Sequence, residues 1–327
     1  MIKLNYPDFW LKRGILSLIL IPFSWVYRFL GYLRWLNALP IRLSGFVICV
    51  GNMSVGGSGK TQVTKWLALQ LKKRNYNFLI VTKAYGGQIT GAKIVKGKDS
   101  AQYVGDESKL LSCFGPVLAA KSIKSALPFI EQIKPDIIIF DDGMQNPGFI
   151  KDYVILVIDS LRNIGNNRIF PAGPLRMNLQ NALDQSNIIT FTGNKTCDNY
   201  NLIQTIATND KPCFKSTMKI NTKIEQGQDY YAFAGISNPE SFFRILEENG
   251  ANIVLKKAFP DHHNYTDIEI KQLQDEANNN NCQLITTHKD FVKINNVSDI
   301  EYIDVDLEFE NEKQLFNIID EKIKAHI

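Results

Sequence analysis

A glycine-rich segment ending in Lys60 and Thr61 carries the clearest chemistry in this sequence of 327 residues. The segment GNMSVGGSGKT (51–61) follows an apolar run at 46–50 and precedes a helical pattern over 60–74. This order is typical of a P-loop, in which backbone N–H groups surround phosphate oxygens. We expect the lysine to reach the β- and γ-phosphates and the threonine to bind Mg²⁺. The predicted nucleotide-binding residues are Ser54, Val55, Gly56, Gly57, Ser58, Gly59, Lys60, Thr61 and Gln62.

Two adjacent carboxylates complete the expected metal site. Asp141 and Asp142 end the apolar segment PDIIIFDDG (135–143). Carboxylate oxygens at the end of a buried strand are ligands that Mg²⁺ accepts, directly or through water, and we expect them to act with Thr61. The ordinary alternatives are a glycine-rich turn without phosphate and a loop acid or helix cap. The two motifs indicate ATP or GTP, and they fit a kinase, a GTPase, a motor or a metal-insertion ATPase.

The elements that must position these residues alternate between short apolar runs and helical patterns. Continuously apolar runs are typical of parallel strands that are covered on both faces. We therefore expect an α/β fold with a doubly wound parallel sheet of the P-loop type, followed by a second, smaller α/β lobe. The first series of expected strands is 46–50, 78–82, 136–140, 153–159 and 187–191, with helices at 60–74 and 121–133. The second series is 230–236, 251–259, 282–287 and 301–309, with helices at 238–249, 266–279 and 310–325.

The chain is expected to divide into three parts. Residues 1–45 form a membrane-associated segment, residues 46–210 the nucleotide-binding domain, and residues 211–327 the lobe that completes the active-site cleft. The boundary is placed near 205–215 because residues 194–229 are polar and weakly periodic, with one candidate strand at 217–224.

The N-terminal segment combines an apolar run with positive charge. Residues 14–27 are uncharged and mostly apolar, and residues 1–45 hold six lysines and arginines against a single aspartate. About 20 apolar residues are needed to span a bilayer, so this run predicts a helix in the membrane surface or a short insertion bent at Pro22. Three of the four tryptophans lie at 10, 25 and 35, and such rings suit the membrane–water boundary. A buried core helix and a signal peptide are the alternatives, although a small-residue cleavage site does not follow the run.

Composition excludes several other classes of protein. Hydrophobic residues make up 45% and charged residues 21%, which argues against a disordered, collagen-like or polytopic membrane chain. The chain beyond residue 45 is nearly neutral, so a nucleic-acid partner is not expected. The five cysteines are scattered without zinc-ligand spacing, which makes a disulfide framework or a zinc site unexpected and favours a reducing compartment.

Eight motifs in order resemble those of the tetraacyldisaccharide 4′-kinase family, the lipid A 4′-kinases. The resemblance covers roughly residues 40–295 and implies transfer of the ATP γ-phosphate to the 4′-hydroxyl of tetraacyldisaccharide 1-phosphate. It also implies a glycolipid partner and a position on the cytoplasmic face of the bacterial inner membrane. The motifs are VGNMSVGGSGKT (50–61), TKAYGG (82–87), VGDE (104–107), DDGMQN (141–146), VIDSLRNIGNNRIFPAGPLR (157–176), FAGISNPESFF (233–243), FPDHHNYT (259–266) and TTHKDFVKI (286–294).

The resemblance also implies the catalytic residues of the acceptor side. It points to Asp106 as the base, paired with His262, while Lys60 serves the phosphate donor. An imidazole can orient a carboxylate, and because these two residues come from different lobes, the site is expected in the cleft between them. His263 is interpreted as a structural residue. For Asp106, the alternative to a catalytic role is that of a helix N-cap. Arg162, Arg168 and Arg176 are candidates for phosphate contacts or simple surface residues.

Four positions depart from the pattern of the resembled family. Lys83 stands in place of an arginine, Ala84 in place of a glycine, Asn146 in place of a histidine and Met177 in place of a glutamate. Alanine at 84 matters if the backbone there needs a positive φ. Two rival functions are kept, a P-loop ATPase or GTPase switch of the partitioning or metal-chaperone type and a membrane-bound nucleotide sensor.

Overall fold

The computed structural model describes residues 7–193, 202, 206, 209–236, 238–294 and 299–327. The strands are β1 Phe46–Gly51, β2 Phe78–Thr82, β3 Ala92–Ile94, β4 Val117–Ala120, β5 Ile137–Asp141, β6 Tyr153–Asp159, β7 Ile188–Thr192, β8 Cys213–Ile220, β9 Asp229–Ala234, β10 Asn252–Ala258, β11 Gln283–Thr287, β12 Ile300–Ile303 and β13 Val305–Phe309. The helices are α1 Ile15–Ile19, α2 Ile21–Leu36, α3 Lys60–Lys73, α4 Ala101–Val104, α5 Asp106–Leu111, α6 Ile123–Ile133, α7 Leu179–Gln185, α8 Pro239–Glu248, α9 Asp267–Asn279, α10 His288–Phe291 and α11 Glu312–Lys324.

The large sheet has the order β13-β8-β7-β6-β1-β5-β2-β4-β3. Its central strands β1, β2, β5 and β6 are parallel, and their continuously apolar sequences are buried on both faces. Two hydrophobic cores lie on the two sides of this sheet, as a doubly wound arrangement requires. The expected fold class is confirmed. The short strands β3 and β4 were not predicted.

Strand β1 lies between β5 and β6, so the chain winds in opposite directions on its two sides. Ligands of open α/β sheets bind at the carboxyl ends of the strands at such a switch point. The residues that end these strands are Gly51, Asp141 and Asp159, which places the predicted P-loop and the first predicted acid at one edge.

The small sheet has the order β10-β9-β11-β12, and each pair of neighbouring strands in it is parallel. Its two faces carry separate apolar clusters, packed under α8 on one side and α9 on the other. This is the smaller α/β lobe that the second series of apolar runs predicts.

The sheets differ from the expected division of residues 211–327. The run 301–309, expected as one strand of the second series, is two strands separated by Asp304, with β12 in the small sheet and β13 in the large one. Strand β8 also joins the large sheet, pairing with β7 in parallel and β13 antiparallel. The physical reason is burial, because Leu307 and Phe309 pack with Trp66 and the apolar face of α11 in the core of the large sheet.

The N-terminal segment is attached to the body by side-chain hydrogen bonds. The Trp10 indole N–H donates to Pro171 O at 2.9 Å, and the Ser24 hydroxyl donates to Ile169 O at 2.7 Å. The Asn166 side-chain amide donates to the backbone oxygen of Phe9. These bonds fix α1 and α2 on the loop that follows β6.

The opposite face of α1 and α2 is apolar and exposed. Among the described residues, none of the helices is both long and apolar enough to cross a bilayer. The large apolar side chains exposed on this face include Ile15, Leu18, Ile19, Phe23, Trp25, Val26, Phe29, Leu30, Tyr32 and Leu36.

Candidate active site

The P-loop is held between β1 and α3 by contacts that only a glycine permits. Gly59 has φ of +81°, and a Cβ added there would lie 2.9 Å from Thr192 Oγ1. The same threonine hydroxyl donates to Ser58 O at 2.8 Å, so the end of β7 supports the last turn of the loop. Lys60 then begins α3, as predicted.

The first half of the loop is supported by the segment that precedes Arg176. Ser54 forms an antiparallel bridge with Leu175, and the Val55 N–H donates to Pro174 O at 2.7 Å. The Val55 donor, which was predicted to bind phosphate, is therefore engaged within the chain. Gln62 lies in the first turn of α3, where its N–H donates to Gly59 O.

Asp141 lies at the buried end of β5, directly beside α3. Its two carboxylate oxygens accept hydrogen bonds from Thr61 Oγ1 at 3.3 Å and Thr64 Oγ1 at 3.0 Å. Burial raises the pKa of Asp141 to about 7, and the negative charge of Glu107 adds to this shift. A carboxyl held in this way is ready to exchange a proton for a cation.

The oxygens of Thr61 and Asp141 fit a Mg²⁺ ion. Mg²⁺ prefers hard oxygen ligands and is usually held by one or two carboxylates together with substrate phosphates and water. In the part of the chain that the structure describes, no group of three or more His, Cys, Asp and Glu side chains could hold a metal. Phosphate oxygens and water would complete this donor set.

Asp142 is the centre of a cluster of cations. Its carboxylate lies 3.1 Å from the Arg176 guanidinium and 3.8 Å from both the Lys60 and the Lys83 ammonium groups. Burial alone would raise the pKa of Asp142, but these three cations lower it to about 2. Lys83 keeps the charge of the arginine that the resembled family has at this position.

Asp106 and His262 meet across the two lobes. Asp106 is the first residue of α5, and His262 follows β10 of the small sheet. His262 Nδ1 lies 2.9 Å from Asp106 Oδ2, although the residues are 156 positions apart in the sequence. The structure therefore brings together the pair that the family resemblance predicts, at the expected place between the lobes.

The turn after β2 packs against the backbone that precedes Asp106. Ala84 has φ of +49°, so the backbone at this departure does adopt the left-handed conformation. A Cβ at Gly87 would lie 2.8 Å from Gly105 N, and one at Gly105 would lie 2.9 Å from Tyr85 O. The glycines of this turn and of the segment before Asp106 therefore allow the two backbones to touch.

The structure also gives the positions of His263, of the three candidate arginines and of Asn146. His263 Nε2 lies 3.1 Å from Glu269 Oε1, within the capping box of α9, which agrees with a structural role. Arg162 and Arg168 lie in the turns between β6 and α7, and Arg176 is the one that ion-pairs with Asp142. Asn146 Oδ1 accepts from Gly148 N in a local turn.

Three contacts in this site were not predicted from the sequence. They are the bond from Thr64 to Asp141, the bond from Thr192 to Ser58, and the ion pair of Lys83 with Asp142. A helix position three residues after Thr61 faces the same side as Thr61, so helical periodicity could have indicated Thr64. The other two depend on sheet order, which local pattern does not give.

A P-loop at the switch point, with the buried Asp141 and a cation cluster beside it, defines a P-loop nucleotide-binding protein. The comparisons with known proteins agree. The model of the family described as tetraacyldisaccharide-1-P 4′-kinase matches residues 16–324. The chain belongs to the tetraacyldisaccharide 4′-kinase family. The resemblance seen in the eight motifs is confirmed, and with it the expected class of ATP-dependent kinase.

Individual relatives match along their whole length. The tetraacyldisaccharide 4′-kinase of Rickettsia bellii is 45% identical over 98% of this chain and 100% of its own. The enzyme of the same name from Rickettsia canadensis is 46% identical over 100% of this chain and 99% of its own. A crystal structure of LpxK from Aquifex aeolicus in complex with ATP has a TM-score of 0.75 and 26% identity, covering 94% of this chain and 100% of that one.

Proposed function

We propose that this chain transfers the γ-phosphate of ATP to the 4′-hydroxyl of tetraacyldisaccharide 1-phosphate, with Asp106 as the base. The observation that carries the proposal is the Asp106–His262 pair at 2.9 Å, because it supplies a proton acceptor beside the nucleotide site. Asp106 begins α5, which packs against α3 of the P-loop. Glu107, the next residue, acts electrostatically on Asp141.

Each side of the reaction has its own residues. The P-loop and Lys60 bind the donor phosphates, while Thr61 and Asp141 hold Mg²⁺, which neutralises phosphate charge when bound. Asp142 keeps the cations of Lys60, Lys83 and Arg176 close to the transferring group. As the new P–O bond forms and the bond to the leaving diphosphate breaks, the hydroxyl proton passes to the Asp106 carboxylate.

The apolar face of α1 and α2 supports peripheral association with the membrane surface. The glycolipid acceptor has acyl chains that need an apolar environment, and the exposed aromatic and aliphatic side chains of Phe23, Trp25 and Phe29 supply one. Cations of the same segment, such as Arg28 and Arg34, favour anionic headgroups. We place the protein at the cytoplasmic face of the inner membrane, where ATP is present.

A phosphate-transfer assay tests the activity. The full chain in detergent micelles receives γ-labelled ATP, Mg²⁺ and tetraacyldisaccharide 1-phosphate. We expect label in the lipid and a loss of that label with Lys60→Ala. Label released only as free phosphate would favour an ATPase, and nucleotide binding without turnover would favour a sensor.

A sedimentation assay tests the membrane association. We expect the full chain to sediment with vesicles that contain anionic lipids and a chain lacking residues 1–40 to stay in the supernatant. Sedimentation of the shortened chain to the same extent would place the membrane contact elsewhere.

A further inference from the structure

Lys289 lies on the opposite side of the His262 ring from Asp106. Its ammonium nitrogen is 3.5 Å from His262 Nε2, whereas Nδ1 of the same ring faces Asp106 at 2.9 Å. A neutral imidazole has one N–H donor and one acceptor nitrogen, and an ammonium group can only donate. In a neutral ring, a lysine that donates to Nε2 makes this nitrogen the acceptor and leaves the ring proton on Nδ1, where it faces the carboxylate.

A second acid competes for the same ring nitrogen. Asp261 Oδ1 lies 3.9 Å from His262 Nε2, and a free carboxylate there would attract a proton onto that nitrogen. Lys289 lies 3.5 Å from the same oxygen, so its charge compensates the acid. Asp106 thus lies on one side of the ring, Asp261 and Lys289 on the other, and the centroid of the Tyr85 ring 6.2 Å away. The buried Lys293 ammonium lies 4.0 Å from the same Asp106 oxygen.

Lys289 is placed by a short helix whose position is fixed. Thr287 caps α10 by accepting from Asp290 N at 3.0 Å, and its hydroxyl donates to the Asp290 carboxylate at 2.8 Å. Asp290 is fully buried, accepts from Gly235 N at 2.9 Å and ion-pairs with Lys293 at 2.6 Å. The backbone N–H of His262 donates to the backbone oxygen of Gly235, whose own N–H bonds to Asp290. Gly235 therefore connects the segment of His262 with the helix that carries Lys289.

We propose that Lys289 is a positioning residue that fixes the Nδ1–H form of His262 and thereby orients the Asp106 carboxylate as the base. This inference rests on the proposed function. With the proton on Nε2, the Nδ1 lone pair would face the carboxylate lone pairs, and the 2.9 Å contact would be lost. The proton of the acceptor hydroxyl could then no longer pass to a correctly oriented Asp106 oxygen.

Kinetics of matched variants provide the first test. Lys289→Met keeps the length and removes the charge, and Lys289→Arg keeps the charge. Lys256→Met is the control, because Lys256 is an exposed lysine of the same small sheet that pairs with Glu247. For Lys289→Met we expect kcat to fall about 10- to 100-fold, less than the loss of a general base, with an unchanged KM for ATP. The arginine variant should recover most of kcat, and the control should match the native chain.

The tautomer itself is visible by ¹⁵N NMR of histidine-labelled full-length protein in micelles. The chain has four histidines, and His262→Asn identifies the signals of His262 by their loss. We expect the native ring to carry its proton on Nδ1 and the ring in Lys289→Met to shift toward Nε2–H. Lys256→Met should leave the native signals in place.

The outcomes separate this inference from its alternatives. A native ring with Nε2–H, or a Lys289→Met chain with native tautomer and native kcat, would overturn it. A higher KM for the lipid with native tautomer and kcat would instead assign Lys289 to binding the acceptor phosphate. If the tautomer shifts as expected but the native chain transfers no phosphate to lipid, the proposed function fails and the role of Lys289 in setting the ring proton stands.

Discussion

The donor side and the acceptor side of this site are built in different ways. The proposed donor side consists of β1, the P-loop, α3 and the end of β5, which all belong to the lobe of the large sheet. The proposed acceptor side combines Asp106 from the large lobe with His262 from the small one. In the proposed mechanism the donor residues are preformed within one lobe, whereas the base is correctly oriented only when the two lobes are in contact. Substitutions on the two sides should consequently affect binding and turnover differently.

The largest expected effect is that of Asp106→Ala. We expect kcat to fall about 10²- to 10⁴-fold, as for the loss of a general base, while ATP binding stays native because the donor side is intact. Transfer kinetics and nucleotide titration measure the two quantities. Lys60→Ala is the contrasting variant and should lose nucleotide affinity as well. Native turnover in Asp106→Ala would remove this residue from the mechanism.

Thr64→Val is expected to weaken the donor side alone. The fully buried Thr64 donates to Asp141 at 3.0 Å, and valine has nearly the same shape without the hydroxyl. Groups that orient a metal ligand typically contribute 10- to 100-fold in metal affinity, so the Mg²⁺ concentration for half-maximal rate should rise by about this factor. Thr64→Ser keeps the donor and should restore most of the affinity. An equal effect of both variants would point to packing instead.

The junction between the lobes should show a pH-dependent stability. His288 Nδ1 lies 3.1 Å from Asp304, which also ion-pairs with the buried Lys65 of α3 at 2.6 Å. Burial lowers the pKa of His288, but the hydrogen bonds to Asp304 and Cys113 and the charge of Asp304 together outweigh burial and raise the pKa to about 8. Because this value is above the ordinary 6.5, the stabilisation is complete below pH 6.5 and is lost as pH rises through 8.

Thermal unfolding between pH 6 and pH 9 measures this contribution. The shift of about 1.5 pH units corresponds to about 2 kcal/mol, so Tm should fall by several degrees over this range. His288→Asn should lack that part of the fall, whereas His326→Asn near the C-terminal end should retain it. An identical pH profile for native and His288→Asn would show that the junction does not depend on the charge.

The smallest effect is expected at the turn that supports Asp106. Ala84 has φ of +49°, which costs an alanine about 1–2 kcal/mol, while glycine loses about 0.5–1 kcal/mol of entropy on folding. Ala84→Gly should therefore stabilise the chain by up to about 1 kcal/mol and change kcat little. Denaturant unfolding measures the gain. Destabilisation by glycine would mean that the methyl group contributes packing that exceeds the strain.

The features that sequence could predict are local ones. The P-loop, its helix and the buried strand ending in Asp141 lie within short segments whose apolar runs and glycines indicate their structure directly. Within the described residues, β1, β2, β5, β6 and β7 agree with the expected strands to within one residue at each end. The pairing of Asp106 with His262 came from family resemblance, because spacing along the chain carries no signal for two residues so far apart.

The features that sequence missed depend on which sheet an element joins. The run 301–309 looks like one strand, because its division at Asp304 reflects the different partners of β12 and β13. The edge strand β3 and its neighbour β4 are short, and small residues such as Ala119 and Ala120 give a weak strand signal. The role of Lys83 at Asp142 also required the fold, since it depends on the neighbouring positions of β2 and β5.

The return of the chain to the large sheet through β13 has a consequence for biosynthesis. Leu307 and Phe309 of β13 and the apolar face of α11 cover Trp66 on the P-loop helix. When the P-loop has left the ribosome, the core of the nucleotide domain is therefore still incomplete. The small lobe must be synthesised before β13, the last strand, can cover this core. The nucleotide domain cannot mature in the order of synthesis, and a nascent chain arrested before Val305 should present this apolar surface to chaperones.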